Sequence, residues 1–171
     1  MLEFIRIDQP RPFDLVNNPV LVSGTATGFE ATLTYRISDG TTQLSGSFNV
    51  GGGTGELAQF QLAVDCSQAE FVVDRIFVEV RDDGGADDDD PVWKPRVVVP
   101  VFYGPRLAAN YQGYRLHQVQ EGETLWSIAG IHHGDNERWR QIFRANTDRI
   151  WDPGMIFQGQ VLRVPIGSDG N

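Results

Sequence analysis

Cysteine is almost absent from this sequence, since Cys66 is the single one in 171 residues. One cysteine cannot form an internal disulfide, and it cannot supply the thiolates of a two-cysteine or four-cysteine zinc site. Its neighbours in the sequence carry no signature of an activated nucleophile, and inert thiols are the commoner case. We therefore expect the fold to be held by packing, with Cys66 as an inert thiol.

Basic residues are also scarce, because 14 lysines and arginines stand against 23 aspartates and glutamates. The formal net charge of -9 would repel a nucleic-acid backbone, whose binding normally needs clustered Lys and Arg. We expect no nucleic-acid partner.

Long hydrophobic runs are missing as well. No apolar stretch approaches the roughly 18 residues that a membrane helix needs, so we expect no membrane span. The first residues pass directly into a strand-like pattern and lack the basic start and apolar core of a secretory signal. Two interpretations stay open: the protein works where it is made, in the cytoplasm or in a large assembly, or a leader was removed and it works in the cell envelope.

The first hundred residues consist of short strand-like segments separated by turn residues. In several of them apolar and polar residues alternate, as at Leu33, Tyr35 and Ile37, which places one face inward and the other outward. Segments rich in β-branched and aromatic residues lie at 20–24, 31–37, 59–64, 75–80 and 96–101. Roughly seven strands in a hundred residues predict an all-β immunoglobulin-like sandwich over residues 1–104.

A more specific signal is the sequence NNPVLVSGTA at residues 17–26, which continues as GFEATL at 28–33. It resembles the bacterial immunoglobulin-like domain family first associated with spore germination proteins, in which a P-V-x-V-x-G-x-A strand precedes F-E-A. The resemblance covers most of residues 3–103. It implies a sandwich used as a protein-interaction or spacer module, with no chemistry to carry over.

The pattern changes at residues 105–113, which have turn residues at both ends and little periodicity. Such a segment is typical of a linker. We therefore predict two domains joined there, the second at residues 114–166, with residues 167–171 as a flexible tail.

The second domain begins with an alternating, strand-like segment at residues 114–119. Apolar residues at i, i+3 and i+4 from Leu125 then predict a short helix, and Asp135 or Asn136 can cap a second helix. A turn-rich loop leads to a final strand at 161–165. The predicted fold is a small α+β module in the order strand, helix, helix, strand, with a two-stranded antiparallel sheet.

This region closely resembles the LysM family in its motifs and in their spacing. The family pattern has V-x-x-G-D-T-L-W-x-I-A at the first helix, G-D and I-x-x-A-N at the second, and D-P-x-x-I-x-x-G-Q-x-L-x-x-P at the end. The matching residues are Val119, Gly122, Thr124, Leu125, Trp126, Ile128, Ala129, Gly134, Asp135, Ile142, Ala145, Asn146, Asp152, Pro153, Ile156, Gly159, Gln160, Leu162 and Pro165. At one position Glu123 replaces the usual Asp, so we expect Thr124 to take the capping role.

The resemblance implies a module that binds N-acetylglucosamine-containing glycans, such as peptidoglycan or chitin, in a shallow groove between two loops. By resemblance, one wall consists of Gly122, Glu123, Thr124, Leu125 and Trp126, and the other of Asp152, Pro153, Gly154, Met155, Ile156 and Phe157. A domain this small needs its large apolar residues for the core, so Leu125 and Ile156 are expected to pack inward. Trp126, Trp151 and Phe157 stay open as ligand contacts.

The histidine pair and the acidic stretch carry weaker signals. Adjacent His132 and His133 point about 100° apart on a helix and lack a third ligand at suitable spacing, so we expect no metal site. The acidic stretch at residues 82–91 lacks the spacing of an EF-hand, which favours a solvated loop. With no recognisable catalytic site, we expect a non-enzyme without cofactors.

Two functions compete on the sequence alone. The first is a cell-wall adaptor, in which the LysM module holds peptidoglycan while the sandwich binds a protein partner. The second is a structural component in the baseplate of a phage-tail-like contractile injection system, where the module docks neighbouring subunits. The missing secretory signal favours the second function, and the retained groove residues favour the first.

Overall fold

The structure is a computed structural model that describes residues 4–27, 32–51, 56–82 and 95–167. The chain divides into two compact units, residues 1–101 and 102–171. Two segments singled out in the sequence lie outside the described residues: FEA at 29–31, and the acidic stretch beyond Asp82.

Two β-sheets make up the first unit, in the part of the chain that the structure describes. Their strands are β1 Ile5–Gln9, β2 Leu15–Val16, β3 Val20–Ala26, β4 Thr32–Ser38, β5 Gln43–Asn49, β6 Ala58–Val64, β7 Arg75–Arg81 and β8 Arg96–Tyr103. One sheet has the order β1-β3-β6, and the other has the order β2-β8-β7-β4-β5. The unit is thus mostly β structure, as the alternating sequence predicts.

Alternating residues of these strands form the core of the first unit. In β3, Val20 and Val22 are buried while Leu21 between them is exposed. The ring centroids of Phe48 in one sheet and Phe60 in the other are 5.2 Å apart. The two sheets therefore pack against each other through apolar side chains.

Strand β5 was not predicted from the sequence. Its residues QLSGSFN include two large apolar side chains, Leu44 and Phe48, and are otherwise small or polar. It forms because it pairs with β4 along its whole length, from Thr32 opposite Asn49 to Ser38 opposite Gln43. Cross-strand pairing, not local propensity, decides this strand.

The second unit contains a short helix followed by a strand, two helices and a strand. Its elements are α1 Gly104–Leu107, β9 Tyr111–Gln118, α2 Leu125–His133, a 3₁₀ turn Asn136–Arg138, α3 Trp139–Arg144 and β10 Val161–Gly167. Gly134 ends α2 in the left-handed conformation, with φ of 69°, and Asp135 caps the 3₁₀ turn. None of the described helices has the length and apolar character that a membrane crossing requires.

An apolar cluster lies between the helices and the sheet of this unit. Helices α2 and α3, strand β10 and the loops next to the two strands contribute to it: its buried members are Val119, Leu125, Ile128, Ala129, Ile142, Ile150, Leu162 and Val164. Trp139, Phe143 and Ile156 pack against the cluster and are partly buried. The expectation that Leu125 and Ile156 pack inward agrees with these positions.

The segment predicted as a linker holds α1 and the first residues of β9 instead. Leu107, Ala108 and Tyr111 are buried, and Gly104 lies so close to the Tyr111 ring that a Cβ atom would overlap it. Glycine serves close packing here, which local periodicity does not reveal. The predicted tail also starts too early, because Gly167 still pairs with Tyr111 in the sheet; residues 168–171 lie outside the described residues.

We predict that a fragment of residues 102–171 is more stable than one of residues 114–171. The shorter fragment loses the buried side chains of Leu107 and Tyr111, and burying one such side chain contributes roughly 1.5–3 kcal/mol. Urea denaturation followed by circular dichroism measures both fragments. Equal unfolding midpoints would show that the segment before residue 114 is a linker after all.

We also predict that Ile128→Ala destabilises the second unit by about 2–5 kcal/mol, because it opens a cavity in the core. Ile128 is fully buried, whereas Ile131 is 64% exposed on the same helix. Ile131→Ala is therefore the matched control and should change the free energy of unfolding by no more than about 0.5 kcal/mol. Similar losses in both variants would contradict the assignment of Ile128 to the core.

Candidate functional site

The two loops of the predicted groove leave the same end of the two-stranded sheet. Gln118, the last residue of β9, is the register partner of Val161, the first residue of β10. Backbone hydrogen bonds then join the loops: Val119 N donates to Gln160 O at 2.9 Å, and Gly159 N donates to Val119 O at 2.8 Å. The loop after β9 and the loop before β10 are therefore neighbours.

Thr124 caps α2, the first helix of the predicted LysM module, as expected from the sequence. The Ser127 backbone N–H donates to Thr124 Oγ1 at 3.1 Å, and the Thr124 backbone N–H donates to Ser127 Oγ at 2.9 Å. This reciprocal capping box satisfies two backbone donors at the start of α2. Behind the cap Leu125 is buried, while Trp126 is 55% exposed.

Glu123 has a different role, which its sequence position did not predict. Its Oε2 accepts hydrogen bonds from the Gln120 backbone N–H at 2.8 Å and lies 2.7 Å from His117 Nε2. The Gln120 N–H first, and His117 second, lower the pKa of Glu123. The carboxylate therefore closes the loop after β9 and joins it to the strand.

His117 continues this network to the far end of α2. Its Nδ1 lies 3.0 Å from His132 Nε2, and the two rings meet edge to face. Burial first, and then the charges of His117 and Arg115, lower the pKa of His132. The three residues are distant in sequence, so no local signal marks the chain that runs from Glu123 through His117 to His132.

The second loop is anchored by the buried side chain of Asn146. Its Nδ2 donates to Ile142 O at 2.7 Å and to Arg163 O at 2.8 Å, and its Oδ1 accepts from Arg163 N at 2.9 Å. The amide thus pairs with β10 as a neighbouring strand would, and it joins the end of α3 to the sheet.

A buried ion pair supports the same loop. Arg163 Nη1 and Nη2 donate to the two carboxylate oxygens of Asp148 at 2.8 and 3.1 Å, and Nη1 also donates to Ala145 O at 3.2 Å. Both side chains are less than a tenth exposed. Such a bidentate ion pair adds geometric specificity as well as electrostatic energy, so it holds the start of the loop in place.

The outer part of the second loop, residues 151–157, has an internal hydrogen bond and exposes large apolar side chains to solvent. Asp152 Oδ1 accepts from the Gly154 backbone N–H at 2.8 Å. Met155 and Phe157 are 51% and 64% exposed, and Trp151, directly before the predicted wall, is 91% exposed. The loop therefore presents large apolar side chains on a fixed backbone.

The predicted groove residues fall into three groups by exposure. Gly122, Thr124, Trp126, Asp152, Gly154, Met155 and Phe157 are exposed, Glu123, Pro153 and Ile156 are half-buried, and Leu125 is buried. Leu125 can offer a ligand at most its backbone, since its side chain belongs to the core.

The sequence also raised a metal site at His132 and His133 and a reactive thiol at Cys66. Within the described residues, no group of three metal-ligating side chains comes together, and His132 contacts His117 instead. Burial, and then the charge of Asp65, raise the pKa of the Cys66 thiol to about 11. That thiol is therefore protonated at neutral pH.

Comparison with protein families identifies both units. Residues 4–87 match the family model for the immunoglobulin-like domain of bacterial spore germination, and residues 117–165 match the model for the LysM domain. The chain is an immunoglobulin-like domain of that family followed by a LysM domain. Neither matched model describes an enzyme, and the LysM match encloses both loops of the predicted groove.

Two curated proteins are similar to part of the chain. Uncharacterized protein YqbP of Bacillus subtilis (strain 168) is 37% identical over an alignment of 60 residues, and the match covers 30% of this chain and 27% of that protein. Potassium binding protein Kbp of Escherichia coli O6:H1 (strain CFT073) is 35% identical over 51 residues, 30% of this chain and 34% of that protein. The chain thus spans about a third or less of either relative. No solved structure matches it.

We predict that Glu123→Gln destabilises the LysM domain at pH 7 and that the loss shrinks in acid. The pKa of Glu123 lies below its ordinary value of 4.5, so the folded state binds fewer protons than the unfolded state. Its contribution is complete above about pH 4.5 and is lost as the pH falls through the lowered pKa.

Urea unfolding of wild type and variant between pH 3 and pH 7 measures this difference. Glu121→Gln, an exposed neighbour with the same change of charge, is the control. A wild-type advantage over Glu123→Gln that stays constant with pH would show that the carboxylate charge contributes nothing.

Proposed function

We propose that this chain is a non-catalytic adaptor. Its LysM domain binds an N-acetylglucosamine-containing glycan, peptidoglycan or a chitin-like polymer, and its immunoglobulin-like domain binds a protein partner. The observation that carries the proposal is the LysM match over residues 117–165, which encloses two adjoining, internally braced loops.

The exposed groups of these loops suit an acetylated sugar. The acetamido methyl group and the sugar ring need apolar contact, which Trp126, Met155 and Phe157 offer at half exposure or more. The amide and hydroxyl groups need directed hydrogen bonds. Gly122 and Gly154 are exposed and have no side chain of their own, so a ligand can approach the backbone there, although the Gly154 N–H already donates to Asp152.

The bracing of the loops favours binding because they lose little conformational freedom when the ligand binds. The first loop is closed by Glu123 and Thr124, and the second is held by Asn146 and by Asp152. Preorganisation lowers the entropic cost of binding. A single shallow domain still makes few contacts, so we expect affinities for short oligomers in the micromolar to millimolar range.

Exposed apolar residues also support a partner for the immunoglobulin-like domain. Phe77 and Val98 are 41% and 37% exposed, and they lie on the neighbouring strands β7 and β8. Apolar side chains left in solvent on a sheet are typical of protein-interaction surfaces when they lie together.

The alternative is that the same groove docks a neighbouring protein subunit, as in a baseplate. The observation that favours it is Trp151, whose ring is 91% exposed. Exposed tryptophans are enriched among the residues that contribute most to protein interfaces. One titration separates the two possibilities.

We predict that chitin oligomers and muropeptides shift backbone amides of residues 121–126 and 152–157 in an NMR titration. Gly154→Tyr should weaken binding about tenfold or more by filling the groove. Gly154 does not have the positive φ that favours glycine, and an added Cβ would meet Asp152 Oδ1 at 3.3 Å, so the variant should fold.

Gln158→Ala is the control, because Gln158 is exposed in the same loop and outside the predicted wall. Co-sedimentation with purified peptidoglycan should fail for Gly154→Tyr and succeed for Gln158→Ala. If no amide in either loop shifts while the spectrum remains that of a folded domain, glycan binding is wrong and protein docking takes its place.

A further inference from the structure

A second cleft lies in the LysM domain, lined by none of the predicted groove residues. It has a volume of about 300 Å³, and its walls include Arg115, His132, His133 and Arg138, with Val164 and Ile166 as apolar lining. β9, the last turn of α2, the 3₁₀ turn and β10 each contribute to it. The cleft thus collects basic side chains from three elements and apolar lining from β10.

This concentration of positive charge runs against the composition of the chain, whose net charge is -9. No carboxylate lines the cleft, in the part of the chain that the structure describes. Arg140, Arg149 and Arg163 of the same unit pair with carboxylates. Among the described residues Arg115 has no such partner, although it is exposed and close enough to His132 to affect it.

The groups around His132 repel a proton. Arg115 and His117 from β9 act together with burial to lower the pKa of His132, and the carboxylate of Glu123 opposes them. Glu123 is already bound by His117 and by the Gln120 N–H. Arg138 and His133 line the same space, so two guanidinium groups and no carboxylate line the described cleft.

We propose that this cleft binds a small oxyanion, a phosphate or a carboxylate group, between Arg115, Arg138 and His132. The flat guanidinium fork suits two oxygens of such a group. The volume admits one oxyanion and a short part of whatever molecule carries it. The anion would compensate the repulsion at His132, so binding and protonation of His132 favour each other. This site does not depend on glycan binding.

The test is an NMR titration of the whole chain with inorganic phosphate and, separately, with acetate, at constant ionic strength set by sodium chloride. We expect saturable shifts of the His132 ring and of the Arg115 amide with at least one of the two anions, and a higher His132 pKa in its presence. Affinity should increase as the pH falls below about 6.5, the ordinary pKa of histidine. Saturable shifts with phosphate only, with acetate only or with both show which oxyanion the site accepts.

Arg115→Gln and Arg138→Gln should each weaken binding about tenfold, and Arg140→Gln should not, because Arg140 pairs with Glu137 and does not line the cleft. Shifts that stay linear through the millimolar range with both anions would overturn the proposal, as would equal affinity in Arg115→Gln and wild type. Chitin oligomers should bind Arg115→Gln as they bind wild type, so this site and the glycan groove fail or succeed separately.

Discussion

The buried amide of Asn146 is the interaction on which the second unit depends. It is fully buried, and each of its polar atoms is used: two bonds bind the Arg163 backbone of β10, and one returns to Ile142 of α3. A polar side chain is costly to bury without partners, by about 1–3 kcal/mol for each unsatisfied group. With partners it selects one arrangement of helix and strand. Arg149 N and Ile150 N then donate to the Asn146 carbonyl oxygen, which starts the second loop from a fixed point.

Because Asn146 holds the start of the second loop, this small domain can expose apolar side chains on an ordered backbone. The core uses Leu125 and Ile128 of α2, Ile142 of α3 and Leu162 of β10, and Ile156 packs against it. Trp151, Met155 and Phe157 are left outside, on a loop whose backbone is held by Asp152, Gln160 and the sheet. Surface of this kind is unfavourable for a free monomer and useful to a binding module.

The polar network of the LysM domain connects its two candidate sites. Glu123 closes one wall of the proposed glycan groove, and His132 lines the basic cleft, with His117 hydrogen bonded to both. Within this network the Gln120 N–H and His117 lower the pKa of Glu123, while burial and the charges of His117 and Arg115 lower the pKa of His132. The network forms because His117 of β9 contacts His132 at the end of α2.

Sequence alone determined the parts of this protein that depend on local pattern. Alternation predicted the strands rich in β-branched and aromatic residues, and the spacing of Thr124, Leu125 and Ile128 predicted the capped helix. Both signals are local, because caps and amphipathic faces depend on neighbouring residues. The LysM motifs marked the two loops of the proposed groove. The tertiary structure decided the rest. β5 exists because β4 pairs with it, the segment around Gly104 is packed because Tyr111 lies on it, and the network of Glu123, His117 and His132 joins residues 6 and 15 positions apart. These features depend on contacts between distant residues, which no local period records.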